Sequence, residues 1–179
     1  LAPDHDQSYR YFMQDRFFNH IDILPENTRV PDGLAADAAA ECAAYDAHIR
    51  ALGGIDLQLL GIGRNGHIGF NEPSGDYVKG THIVDLAPST IEANARFFAT
   101  PDDVPRQAFT MGIGCILSAR KILLVASGAD KADAVYQAVC GPVDPHCPGA
   151  ILQLHSNVVI VGDEAALSKL TAAGVSVCG

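Results

Sequence analysis

His67 and Glu72 stand five residues apart in the run Leu60-Gly61-Ile62-Gly63-Arg64-Asn65-Gly66-His67-Ile68-Gly69-Phe70-Asn71-Glu72-Pro73. An imidazole exchanges a proton near neutral pH, and a carboxylate that folds back onto it orients the ring and favours its charged form. The two residues are therefore a candidate acid-base pair. Asn65 can donate and accept hydrogen bonds without adding charge, while Gly61, Gly63 and Gly66 let a substrate approach the backbone. A lone histidine is more often a residue with no chemical role, but this density of His, Glu, Asn and Gly argues for a site.

The three glycines also spell GxGxxG, with Asp85 lying 19 residues beyond the last of them, which by spacing alone is a dinucleotide-binding fingerprint. That fingerprint needs a helix opening directly from the glycines, so that its amino end faces the pyrophosphate. Gly69 is a weak helix residue and Pro73 blocks continuation, so no nucleotide cofactor is expected. The cluster Cys140, His146, Cys147 and His155 matches no common ligand spacing, and no metal is expected. Cys42, Cys115, Cys140, Cys147 and Cys178 are odd in number, widely spaced and without CxxC, and read as buried reduced thiols.

The elements that must hold this loop are readable in part. Residues 8–20 carry Tyr9, Phe12, Met13, Phe17 and His20 at helical spacing behind Ser8, a plausible cap. An Ala-rich helix spans about Asp37 to Leu52 and is stopped by Gly53 and Gly54. Ile55 to Leu60 reads as a buried strand feeding the glycine loop. Thr81 to Leu86 is a further strand, and Ser89-Thr90-Ile91-Glu92 has capping-box spacing before a helix reaching Phe98. Strands follow at Ala108 to Ile113, Lys121 to Ala126 and Asn157 to Val161, with helices from Asp130 to about Val139 and from Glu164 to Leu170.

This alternation predicts a Rossmann-like α/β fold, a mostly parallel sheet with helices on both faces. Ligands of such sheets lie at the carboxyl ends of strands, which points again to the loop after Leu60. A length of 179 residues with 48% hydrophobic composition suits one domain over residues 1–179 with a sizeable core. The net charge of −9 disfavours nucleic acid and requires local cations for any anionic ligand. No window approaches the roughly 18 apolar residues of a membrane span, and no signal peptide opens the chain, so a cytoplasmic protein with no membrane partner is expected. A homo-oligomer is left open.

The run from Leu60 to Pro73 closely resembles the signature of glucosamine-6-phosphate deaminases. The resemblance extends to Ser8-Tyr9 with Phe17-Phe18, Asn94-Ala95-Arg96-Phe97-Phe98, Ala108-Phe109-Thr110-Met111-Gly112-Ile113-Gly114, Gly128-Ala129-Asp130-Lys131 and Leu152-Gln153-Leu154-His155. The related 6-phosphogluconolactonases typically follow the glycine-histidine pair with a Thr-Ala-Ser-Leu-Phe-Pro type of segment, where this chain has Ile-Gly-Phe-Asn-Glu-Pro. A lactonase-like hydrolase and a non-catalytic sugar-phosphate sensor are the alternatives; the sensor would need a DNA-binding segment, and none of these residues forms a basic helix-turn-helix.

The resemblance implies deamination of glucosamine 6-phosphate to fructose 6-phosphate and ammonia in amino-sugar catabolism, by proton transfers that need no cofactor. It implies that His67 opens the pyranose ring, that Glu72 tunes His67, and that Arg96 and Lys131 bind the substrate phosphate. Asn65 falls where some members carry Asp, which leaves the tuning of His67 to Glu72. The family's phosphate loop and the Asp-Glu-Tyr segment bearing the C2 base lie upstream of the first helix. The chain is therefore expected to lack the first strand or strands, to expose apolar surface, and to be inactive alone. In place of the basic effector-binding residues of some members stands Thr81-His82-Ile83-Val84, so no such regulation is expected.

Overall fold

A computed structural model describes residues 1–177. Its elements, in chain order, are α1 (Tyr9–Arg16), α2 (Ala38–Ala51), β1 (Leu57–Leu60), β2 (His82–Asp85), α3 (Pro88–Ala95), β3 (Gln107–Thr110), α4 (Ile113–Leu117), β4 (Lys121–Ala126), α5 (Ala132–Cys140), β5 (Val158–Gly162) and α6 (Glu164–Ala172). β1, β4 and β5 form a parallel sheet in the order β1-β4-β5, with Leu57 opposite Lys121 and Ile122 opposite Val158. β2 and β3 form a separate antiparallel pair, His82 opposite Thr110. The parallel sheet flanked by helices is the α/β arrangement that the sequence predicts.

The core is built from one side of β4. Ile122, Leu124 and Ala126 alternate with exposed or half-buried residues and pack among Leu60, Ile62, Val135, Ala138 and Leu170. Ile122 and Leu124 are fully buried, each contributing about 1.5–3 kcal/mol of transfer free energy. Strand residues alternate between faces, so Leu57, Leu59, Val125, Val159 and Val161 share the opposite side. All five are exposed, which is the uncovered apolar surface anticipated above.

Local signals place several helix ends. Ser8 caps α1 by accepting from the Tyr11 amide at 3.0 Å, and Asp37 caps α2 by accepting from Ala40 at 2.9 Å. Gly53 and Gly54, both at positive φ, end α2. The first helix is shorter than its periodicity suggests: α1 stops at Arg16, a 3-10 turn covers Phe18–His20, and none of its residues is buried.

Two further expectations change. The capping box at Ser89 does not form; α3 begins at Pro88 with Ala87 as N-cap and no side-chain cap. Proline presets the helical φ at the first position, which places Ser89 inside the first turn and not at the cap. The strand expected to reach Ile113 ends at Thr110, and Ile113 opens α4. The cause lies in tertiary packing: the amides of Ile113 and Gly114 donate to Val78 and Lys79 at 2.8 and 3.0 Å, and a Cβ on Gly112 would overlap the backbone of Gly80.

Among the described cysteines only Cys42 is buried; Cys115 and Cys147 are half-buried, and Cys140, the last residue of α5, is exposed. Cys178 lies outside the described residues. His146 pairs with Asp144 and His155 donates to the Ala119 carbonyl, so these two histidines serve separate structural contacts. Among the described residues no helix is long and apolar enough to cross a membrane.

Candidate active site

The loop that leaves β1 is tightened by its own backbone. Gly66 N donates to Gly63 O at 3.0 Å and Gly63 N donates to His67 O at 2.9 Å, which folds residues 63–67 back on themselves. Gly66 has φ +83, a conformation that side-chain-bearing residues rarely adopt, and a Cβ there would meet Cys147 Sγ at 2.6 Å. Gly149 N donates to Gly66 O at 2.8 Å, so the 148–154 turn backs the loop. A Cβ on Gly63 would overlap the His67 ring, which lies directly against it. Gly61 is exposed and meets only Val125 O at 4.0 Å, so packing gives no reason for glycine there.

These turns bring His67, Asn65 and Glu72 together. His67 Nδ1 lies 3.3 Å from Glu72 Oε2, and Asn65 Nδ2 donates to the same oxygen at 2.7 Å. Asn65 Oδ1 accepts from the His67 amide at 3.2 Å. The other carboxylate oxygen, Oε1, accepts from Thr90 Oγ1 at 2.6 Å and more weakly from the Ala87 amide at 3.4 Å. The Glu72 side chain is 7% exposed, while the His67 side chain keeps 18%.

Burial alone would push the Glu72 carboxyl up. The hydrogen bonds from His67, Thr90 and Asn65, together with the imidazole charge, outweigh it and bring the group from 4.5 down to about 2. An ionised carboxylate can only accept, so His67 Nδ1 must carry a hydrogen. Nε2 is thereby left as the atom that gains and loses a proton.

The floor beneath this network is held by β3. Thr110 Oγ1 accepts from the Phe70 amide at 3.0 Å, and the buried Asn71 donates through Nδ2 to Ile68 O and Met111 O, each at 2.9 Å. Phe70 lies 6.3 Å from the His67 ring and 6.0 Å from Tyr9. It also lines a groove of about 1080 Å³ shared with Met111 and Phe109; none of the sequence-predicted site residues except through this neighbour borders it.

Of the two expected cations, Lys131 is tied to the loop through its neighbour. Asp130, immediately before it, accepts from Arg64 Nε at 2.8 Å, which joins the loop after β1 to the turn after β4. Lys131 is half-buried at the start of α5. Arg96 is exposed at the C-cap of α3, its guanidinium 4.6 Å above the Phe97 ring. Neither forms an ion pair among the described residues. Reading the sequence missed Thr90 and Arg64 as parts of the network, since their partners are 18 and 66 residues distant.

The family of glucosamine-6-phosphate isomerases and 6-phosphogluconolactonases matches residues 1–161. A glucosamine-6-phosphate deaminase of Clostridioides difficile is 59% identical over 170 residues, covering 95% of this chain and 68% of that protein. One from Clostridium perfringens is 55% identical, covering 95% and 70%. The solved structure of a monomeric glucosamine-6-phosphate deaminase superposes with a TM-score of 0.91 at 47% identity, over 94% of this chain and 70% of that one. A 6-phosphogluconolactonase from Thermotoga maritima, at 18% identity and a TM-score of 0.66, shares the fold alone.

Proposed function

Because the chain belongs to the glucosamine-6-phosphate isomerase and 6-phosphogluconolactonase family, we propose that it acts as a glucosamine-6-phosphate deaminase, with His67 as the group that opens the sugar ring. The observation that carries this is the His67–Glu72–Asn65 network at the carboxyl end of β1. Glu72 holds Nδ1, so Nε2 is free to take a proton from the anomeric hydroxyl and return it to the ring oxygen. The opened aldehyde acidifies the hydrogen on C2. Its transfer toward C1 leaves an imine at C2, which water converts to the ketose with release of ammonia.

Glu72 is not the C2 base. Both its oxygens are engaged by donors, and a carboxyl held at about 2 is a weak base. A different carboxylate performs that step. Arg96 and Lys131 are the proposed phosphate cations, since an acidic chain needs a bidentate donor and a point charge for a dianion. Gly61, Gly63 and Gly66 form the substrate loop. A cytoplasmic location suits a phosphorylated substrate.

Incubating the full-length gene product with glucosamine 6-phosphate and with 6-phosphogluconolactone tests the reading. Ammonia release from the first is expected. Lactone hydrolysis without ammonia release would replace it with the hydrolase.

A further inference from the structure

We propose that Thr90 is a positioning residue of the ring-opening step: its hydroxyl sets the roll of the Glu72 carboxylate and thereby the aim of His67. This inference rests on His67 acting as proposed above. The terminal torsion of a glutamate is soft and roughly two-fold, so a carboxylate tethered on one side can turn. Glu72 is tethered on both. Oε2 takes His67 and Asn65 from its own loop, while Oε1 takes Thr90 from α3, 18 residues on in sequence.

The Thr90 bond, at 2.6 Å, is the shortest of the contacts to this carboxylate, and Thr90 is buried at 7% exposure. Its hydroxyl hydrogen must point at Glu72, because an ionised carboxylate offers no hydrogen in return. Without it, Oε1 keeps only the Ala87 amide at 3.4 Å, a contact too long to hold the group. The carboxylate would then exchange its oxygens between partners, and the imidazole would lose the fixed acceptor that keeps its hydrogen on Nδ1. Helix α3 therefore acts on His67 through a single hydroxyl.

Thr90→Val removes the hydroxyl at nearly constant volume, and Thr90→Ser keeps it. In the full-length gene product Thr90→Val should lower kcat for ammonia release about 10-fold or more with KM little changed, the scale of a misaimed catalytic group. Thr90→Ser should restore most of it. In a Glu72→Gln background Thr90→Val should cause no further loss, because coupled residues are non-additive. Parent-like kcat in Thr90→Val, or losses that multiply with those of Glu72→Gln, would overturn the proposal.

A second measurement needs no turnover. Nitrogen-15 spectra of the His67 ring in mildly alkaline buffer should show one tautomer, hydrogen on Nδ1, in the parent and a mixture in Thr90→Val, or in Thr90→Ala should the valine variant not fold. An unmixed tautomer in the variant also overturns it. If the parent releases no ammonia, the deaminase reading fails while the tautomer experiment still judges Thr90.

Discussion

Asn65 and His67 converge on one oxygen: Asn65 Nδ2 donates to Glu72 Oε2 at 2.7 Å while His67 Nδ1 faces the same atom at 3.3 Å. The amide brings a donor without a charge, so it supports the carboxylate without competing with the imidazole for its role. Asn65 also anchors the His67 amide. Asn65→Ala should therefore destabilise the protein by about 2 kcal/mol, the usual cost of removing a donor from a buried charged acceptor. Urea unfolding at neutral pH measures it; an unchanged midpoint would mean that water replaces the amide freely.

The depressed carboxyl of Glu72 makes an acid-side contribution to stability. Its folded value of about 2 lies below the ordinary 4.5, so the contribution is complete above 4.5 and disappears as pH falls toward 2. Its full size is at most about 3 kcal/mol, from 1.36 kcal/mol per unit. The stability difference between the parent and Glu72→Gln, followed by denaturation from pH 6 down to about 2, should shrink across that window. A difference that stays flat would show that the carboxylate is not held by these bonds.

His67→Gln keeps a polar planar side chain and loses the titrating nitrogen. Turnover should drop roughly 100-fold or more, the scale of a lost proton shuttle. Near-normal turnover removes His67 from the mechanism.

Gly63→Ala tests the geometry without replacing a titratable group. The new methyl would occupy the space of the His67 ring, so the ring must move. The expectation is a folded protein by circular dichroism with kcat reduced about 10-fold or more. Parent-like kcat would show that the ring has room to shift and still work.

Lys131→Ala should act chiefly on KM, because a phosphate far from the reacting carbons is bound alike in the ground and transition states. Steady-state kinetics with glucosamine 6-phosphate separates the two constants. A fall in kcat at constant KM would give Lys131 a different role.

Much of this protein is legible in one dimension because the deciding contacts are short-range. The caps at Ser8 and Asp37, the stop at Gly53-Gly54 and the alternation of β4 all rest on interactions within about four residues or one strand. His67 and Glu72 belong to the same class, since five residues interrupted by Gly69 can fold back locally. What only the tertiary structure decided are the contacts between distant segments: β2 pairing antiparallel with β3 outside the parallel sheet, Gly112 meeting Gly80, Arg64 reaching Asp130, and Thr90 giving its hydroxyl to Glu72. Periodicity records which side of an element is buried, but not which neighbour buries it. The Thr90 hydroxyl donates to a charged, desolvated acceptor, and that acceptor lies beside it only once the chain has folded.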